Sequence, residues 1–208
     1  MTSDFSAEDR DDALREVINI GMGAAGAALA ETLGVFVRLS VPKVRQMDTS
    51  ALLPSLTAPP WNDRRVNASS QAFYGGLSGN ALVIFDESGV EQLADLLGHQ
   101  GDGDGHGAAA NEVLLELGNI MTGACVNGIA VRLNQTISFA PPILLCERST
   151  LAGVLSLGAN ASKRTLLVCI EFLIEERKFE SRIAILISEK AIAALDRAIE
   201  KLLADLAA

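Results

Sequence analysis

No run of basic residues occurs anywhere in this chain. Lys and Arg number 17 against 26 Asp and Glu, a formal net charge of −9. Nucleic-acid backbones are held by clustered cations, and anionic membrane surfaces by polybasic patches, so neither partner is expected. Aromatics are scarce at 4%, yet hydrophobic residues make up 49% of the 208 positions and charged ones only 21%. Disordered chains have the opposite balance, so a folded core of Ala, Val, Leu and Ile is expected. Histidine is nearly absent: His99 and His106 flank or lie in a Gly/Asp-rich stretch, and no metal site is expected from them. The three cysteines, Cys125, Cys146 and Cys169, form neither an even set nor a C-x-x-C pair. They read as thiols buried in a reducing compartment. The N-terminus lacks the basic and apolar regions of a secretory signal. The longest low-charge stretch, Val17 to Ala30, is too short and too rich in Gly and Ala to span a bilayer. The expected location is the cytoplasm.

What the chain does contain is a repeat. Sliding it by about 100 positions pairs Leu14 with Leu114, Glu16 with Glu116, Asn19 with Asn119 and Ile20 with Ile120. The same register pairs Gly23 with Gly123, Leu33 with Leu133 and Pro42 with Pro142. Farther on the match loosens: Ser50-Ala-Leu-Leu pairs with Ser149-Thr-Leu-Ala, and Ala81-Leu-Val-Ile-Phe with Ala184-Ile-Leu-Ile-Ser. Two copies make a duplicated domain and not a solenoid. One domain of two repeats, 6–100 and 108–208, is expected, joined by the Gly/Asp-rich loop 101–107.

Each copy opens with a long helix. Ser6-Ala-Glu-Asp9 resembles a capping box, the helical pattern runs to Leu33, and Gly34 suits the left-handed residue past its end. Asn134 is its counterpart. A strand ending near the proline follows (35–41 and 135–140), then a short Ser/Leu-rich turn. Two further strands come next in each copy, 66–74 and 80–86 against 165–174 and 181–188. Amphipathic helices close both copies, 88–97 and 189–206; Ile192, Leu195, Ile199, Leu202 and Leu203 read as core packing. Trp61, after Pro59-Pro60, falls in a loop that only the first copy has and reads as folded onto its own domain.

On a helical wheel, Leu14, Val17, Ile18, Gly21, Ala25, Ala28 and Thr32 share one side. Asp12, Glu16, Asn19 and Gly23 share the opposite one, and Glu112, Glu116, Asn119 and Gly123 repeat it. A single exposed Glu-x-x-Asn pair is ordinarily a solvated face. Its repetition beside a glycine that costs roughly 1 kcal/mol within a helix is harder to explain that way. Gly23 and Gly123 suit close approach of a partner; the bland alternative is another helix of the same protein packed over the stripe. Gly21-Met-Gly23-Ala-Ala-Gly26 also matches the dinucleotide pattern G-x-G-x-x-G, with Asp48 downstream. That motif needs glycines between a strand and a helix N-terminus, whereas these are expected mid-helix, so the match is read as accidental.

The two stripes resemble the signature of the CheC-type chemotaxis phosphatases, the CheC/CheX/FliY family. That signature is Asp or Ser, three residues, Glu, two residues, Asn, then twenty-two residues and Pro. Asp12, Glu16, Asn19 and Pro42 match it, as do Glu112, Glu116, Asn119 and Pro142, with Glu112 departing from Asp or Ser. Two signatures look more like CheC than the single-motif CheX, and the chain carries no flagellar switch domain, unlike full-length FliY. The resemblance implies an α/β layered, pseudo-two-fold fold with a largely antiparallel central sheet and the motif helices outside. It implies hydrolysis of the aspartyl phosphate on the response regulator CheY. Asn19 and Asn119 would orient the water, Glu16 and Glu116 would pair with the regulator's active-site Lys, and Asp12 and Glu112 would assist. No cofactor of its own is implied, since Mg²⁺ belongs to the regulator. The receptor deamidase CheD is a further implied partner. A binding module that docks CheD or a receiver domain without hydrolysis is the alternative, and a phosphatase for receivers outside chemotaxis a weaker third.

Overall fold

The structure is a computed structural model and describes residues 6–56, 64–87, 108–150, 164–174 and 179–206. The expected helix at 88–97, the loop at 101–107, Trp61, His99 and His106 lie outside the described residues. Helix α1 spans Ala7–Leu33 and starts as the sequence predicts. Asp9 N donates to Ser6 Oγ at 3.1 Å and Ser6 N donates to Asp9 Oδ2 at 2.9 Å, closing a reciprocal cap. Gly34 ends the helix at φ 65°, and Asn134 takes the same left-handed conformation at φ 52°. The second motif helix, α3, spans Ala108–Arg132.

Between the helices run β1 (Arg38–Leu39), β2 (Lys43–Asp48), a 3-10 turn (Thr49–Ala51), α2 (Leu52–Leu56), β3 (Arg65–Gly75) and β4 (Gly79–Asp86). After α3 come β5 (Ile137–Phe139), β6 (Ile143–Thr150), β7 (Arg164–Ile174), β8 (Phe179–Ser188) and α4 (Glu189–Leu206). The strands expected at 35–41 and 135–140 are thus two and three residues long. The sequence reading missed β2 and β6. They alternate only weakly between buried and exposed positions, because their place is at the sheet margin.

All eight strands form one antiparallel sheet, with a main path β1-β7-β8-β4-β3-β5. The halves exchange their arms: β2 of the first pairs with β7 of the second, Lys43 opposite Cys169. In return β6 of the second pairs with β3 of the first, Ile143 opposite Ser70. Register shows the pseudo-symmetry directly. Arg38 faces Leu173 and Leu39 faces Phe172 at one edge, while Ser138 faces Tyr74 and Phe139 faces Phe73 at the other. Tyr74 therefore corresponds to Leu173, Gln71 to Ile170 and Ser69 to Val168. Continued through the β3–β4 and β7–β8 pairs, this matches Leu82 with Ala184, which also face each other across β4–β8. The pairing of Ala81 with Ala184 read from the sequence is one residue out of register.

One sheet face carries α1, α3 and α4 over the larger core cluster; α2 covers the other over a smaller one. The motif helices meet where a Cβ on Gly21 would lie 2.7 Å from the Gly128 carbonyl carbon, so glycine here allows contact between backbones. Along α1 the buried row is Val17, Ile18, Met22, Ala25, Leu29 and Leu33. Ala28 and Thr32, placed with the core on the wheel, are exposed. They carry little apolar surface to bury, and Thr32 Oγ1 donates to Ala28 O at 2.8 Å. Between Asn111 and Arg132, α3 is apolar enough by length and composition to cross a membrane, and longer than the stretch singled out above; 56% of its most apolar window is buried in the fold. In α4, Ile192, Leu195 and Ile199 are buried and Leu202 and Leu203 pack against the same core.

Candidate functional site

Asp12, Glu16, Asn19 and Gly23 are all exposed on α1, and Glu112, Glu116 and Asn119 are exposed on α3, with Gly123 half-buried. A Cβ built on Gly23 or Gly123 meets no heavy atom within 4 Å. No element among the described residues therefore covers either stripe at these glycines. All three glycines of the G-x-G-x-x-G match lie inside α1, far from a helix N-terminus, where a pyrophosphate would bind.

The surroundings of the two asparagines differ. Beside Asn19 runs a groove between α1 and the segment 36–42, whose lining includes Gly23, Phe36, Val41 and Pro42. Phe36 is 70% exposed and Val41 79%, so its rim is apolar; Thr136 and Pro141 hold the corresponding places in the second half. No hydrogen bond among the described residues holds the Asn19 side chain. Asp12 lies 3.9 Å from Arg15 on the same exposed helix face, a pairing of little energetic weight.

Asn119, by contrast, is held. Gln71 Nε2, from β3, donates to Asn119 Oδ1 at 2.7 Å and to Ala140 O at 2.9 Å. Ala140 is itself fixed, its N donating to Ala72 O at 3.0 Å. Gln71 is 4% exposed, and its Oε1 has no partner among the described residues. The contact requires α3 to sit close to β3. Gly118 permits this: a Cβ there would collide with Ser69 Oγ. The first half has Ile18, Val168 and Ile170 at the corresponding places, all buried in the large core cluster. Sequence reading missed Gln71, Ser69 and Gly118. The available signal was a run of small and polar residues, Asn67 to Gln71, in a strand otherwise expected to be apolar.

Other chemistries find little support. Burial pushes the Cys125 thiol up to about 12, and chiefly burial raises that of Cys169, so both are kept from acting as thiolate nucleophiles. Cys146 is half-buried. Among the described residues, no group of three or more His, Cys, Asp or Glu is placed to hold a metal ion.

No family model matches the chain. It is 25% identical, over 134 residues, to a candidate CheY-P phosphatase, CheC1, of Halobacterium salinarum. That match spans 64% of this chain and 66%, just under two thirds, of the relative. Among solved structures, FliY of Thermotoga maritima superposes with a TM-score of 0.61 at 21% identity, covering 96% of this chain and 99% of that one. The FliM middle domain of H. pylori gives 0.60 at 11%, covering 93% and 99%. A chain of the CheX–CheY–BeF₃–Mg²⁺ complex of Borrelia burgdorferi gives 0.54 at 13%, covering 83% and 97%. In its doubled motif, in this relative and in its fold, the chain is similar to the CheC/CheX/FliY family.

Proposed function

We propose that this protein is a phosphatase acting on the aspartyl phosphate of a CheY-type response regulator in the cytoplasm. The observation that carries the reading is the pair of exposed Glu-x-x-Asn stripes, each beside a glycine with open space above it. An acyl phosphate is already activated, and the Mg²⁺ that neutralises it belongs to the regulator. Positioning an in-line water is then most of the task. The Asn amide has donors and an acceptor on a short stem, suited to fixing one water against phosphorus. Asn19 and Asn119 take that role, Glu16 and Glu116 dock the regulator's Lys, and Asp12 and Glu112 support them from one turn earlier. Gly23 and Gly123 let the regulator approach the helix closely. The supporting relatives are the candidate CheY-P phosphatase and the CheX–CheY complex. Shared fold alone does not carry an activity, since the same fold occurs in a FliM domain. Docking without hydrolysis, to a receiver or to CheD, is the competing outcome.

The test is phosphate release from a receiver domain loaded with a small phosphodonor, with the protein in catalytic amounts. Acceleration by wild type, and its loss in Asn19→Ala/Asn119→Ala, is the expected result. Binding to the loaded receiver with no acceleration of release would overturn the enzymatic reading in favour of docking alone.

A further inference from the structure

We infer that Gln71 is a positioning residue for Asn119, so that only the second of the two sites has a pre-set asparagine. This rests on the phosphatase reading above and adds to it a role for a residue of the opposite half. The orientation follows from chemistry. Ala140 O can only accept, so the Gln71 atom facing it at 2.9 Å is the amide nitrogen. The same nitrogen faces Asn119 at 2.7 Å, so the Asn119 atom turned toward it is Oδ1. The Asn119 amide is thereby tethered through its oxygen. Oδ1 is turned toward Gln71 and keeps one lone pair.

Gln71 stands at a 4% exposed position on the helix face of β3, and its Oε1 is left without a partner among the described residues. A buried orphan oxygen is a standing cost. An apolar side chain, as at Ile170 in the first half, carries no such cost. Gly118 over Ser69 supplies the close seating that the contact needs. Three positions thus differ between the halves in one direction, toward holding Asn119. Asn19 has Ile170 beneath it in the symmetry and no hydrogen-bond donor to fix it among the described residues.

Two measurements test this. Side-chain amide ¹⁵N relaxation on the free protein should show the Asn119 NH₂ as ordered as the backbone and the Asn19 NH₂ mobile. Equal mobility of the two would overturn the inference, whatever the enzymatic activity. In the Asn19→Ala background, which leaves the second site alone, Gln71→Met should lower kcat about tenfold with KM within about twofold. Added to Asn119→Ala, the same change should cost nothing further, because its effect passes through that asparagine. A folding defect would instead lower turnover in both backgrounds. If the second site hydrolyses phosphate and Gln71→Met leaves its kcat intact, the positioning role fails while the phosphatase reading stands. If no site is active, that reading fails and relaxation alone decides the placement of Asn119.

Discussion

The two motif helices carry matching stripes, alike except for Asp12 against Glu112, but rest on different foundations. Under α1 the corresponding places are Ile18, Val168 and Ile170, all apolar and buried. Under α3 they are Gly118, Ser69 and Gln71, two of them small and the third a buried amide bonded to Asn119. The first asparagine instead opens on a groove rimmed by the exposed Phe36 and Val41. One asparagine is thus held by a buried neighbour, while the other stands beside exposed apolar side chains. The motif occurs twice, and the positions beneath its two copies differ in kind.

The comparison can be broken most directly by kinetics. Losing both asparagines should reduce receiver dephosphorylation on the order of 100-fold, measured as phosphate release, while each single variant isolates the other site. Identical kcat and KM from the two isolated sites would remove the contrast. Next in size is the seat of α3. Gly118→Leu drives a side chain into Ser69, an overpacking expected to cost about 1–3 kcal/mol in a denaturant titration and to depress second-site turnover.

Smaller effects sharpen the picture of α1. Ser6→Ala removes its cap and should cost about 1 kcal/mol of stability near neutral pH. The two Ser6 hydrogen bonds hold the Asp9 carboxyl below its ordinary 3.8. A carboxylate with a depressed folded value stabilises above the unfolded value and loses that contribution as pH falls through the folded one. The wild-type advantage over Ser6→Ala should therefore shrink in acid, seen as converging Tm values below about pH 4. Smallest is Gly23→Ala, which meets open space and should raise stability by about 0.5–1 kcal/mol. The same change should weaken receiver binding if the regulator comes down on that face; a stability gain with unchanged affinity would remove Gly23 from the docking surface.

The sequence showed the long helices well, because their signals are local: the Ser6–Asp9 box, Gly34, and Asn134 as its echo. The central strands β4, β7 and β8 were equally legible from their apolar runs, and β3 from its bounds despite the small and polar residues at 67–71. The marginal arms β2 and β6 were not, since a strand paired on one side has little hydrophobic period to display. The exposed stripes followed from helical geometry alone. Gln71 could not be found that way. Its link to Asn119 joins residues of opposite halves, and the close packing of α3 on β3 brings them together.

The exchanged arms bear on how the chain is made. As it leaves the ribosome, β2 has no strand to pair with until residues 164–174 follow more than a hundred positions later. Until then the first half carries an unsatisfied edge, the kind that invites association with other chains. Completion of the sheet therefore waits for the second half, and synthesis is expected to release one cooperative unit late and not two in succession. A chain halted near residue 150 is then expected to be a protease-sensitive intermediate, and pulse proteolysis of stalled nascent chains would time the step at which the sheet closes.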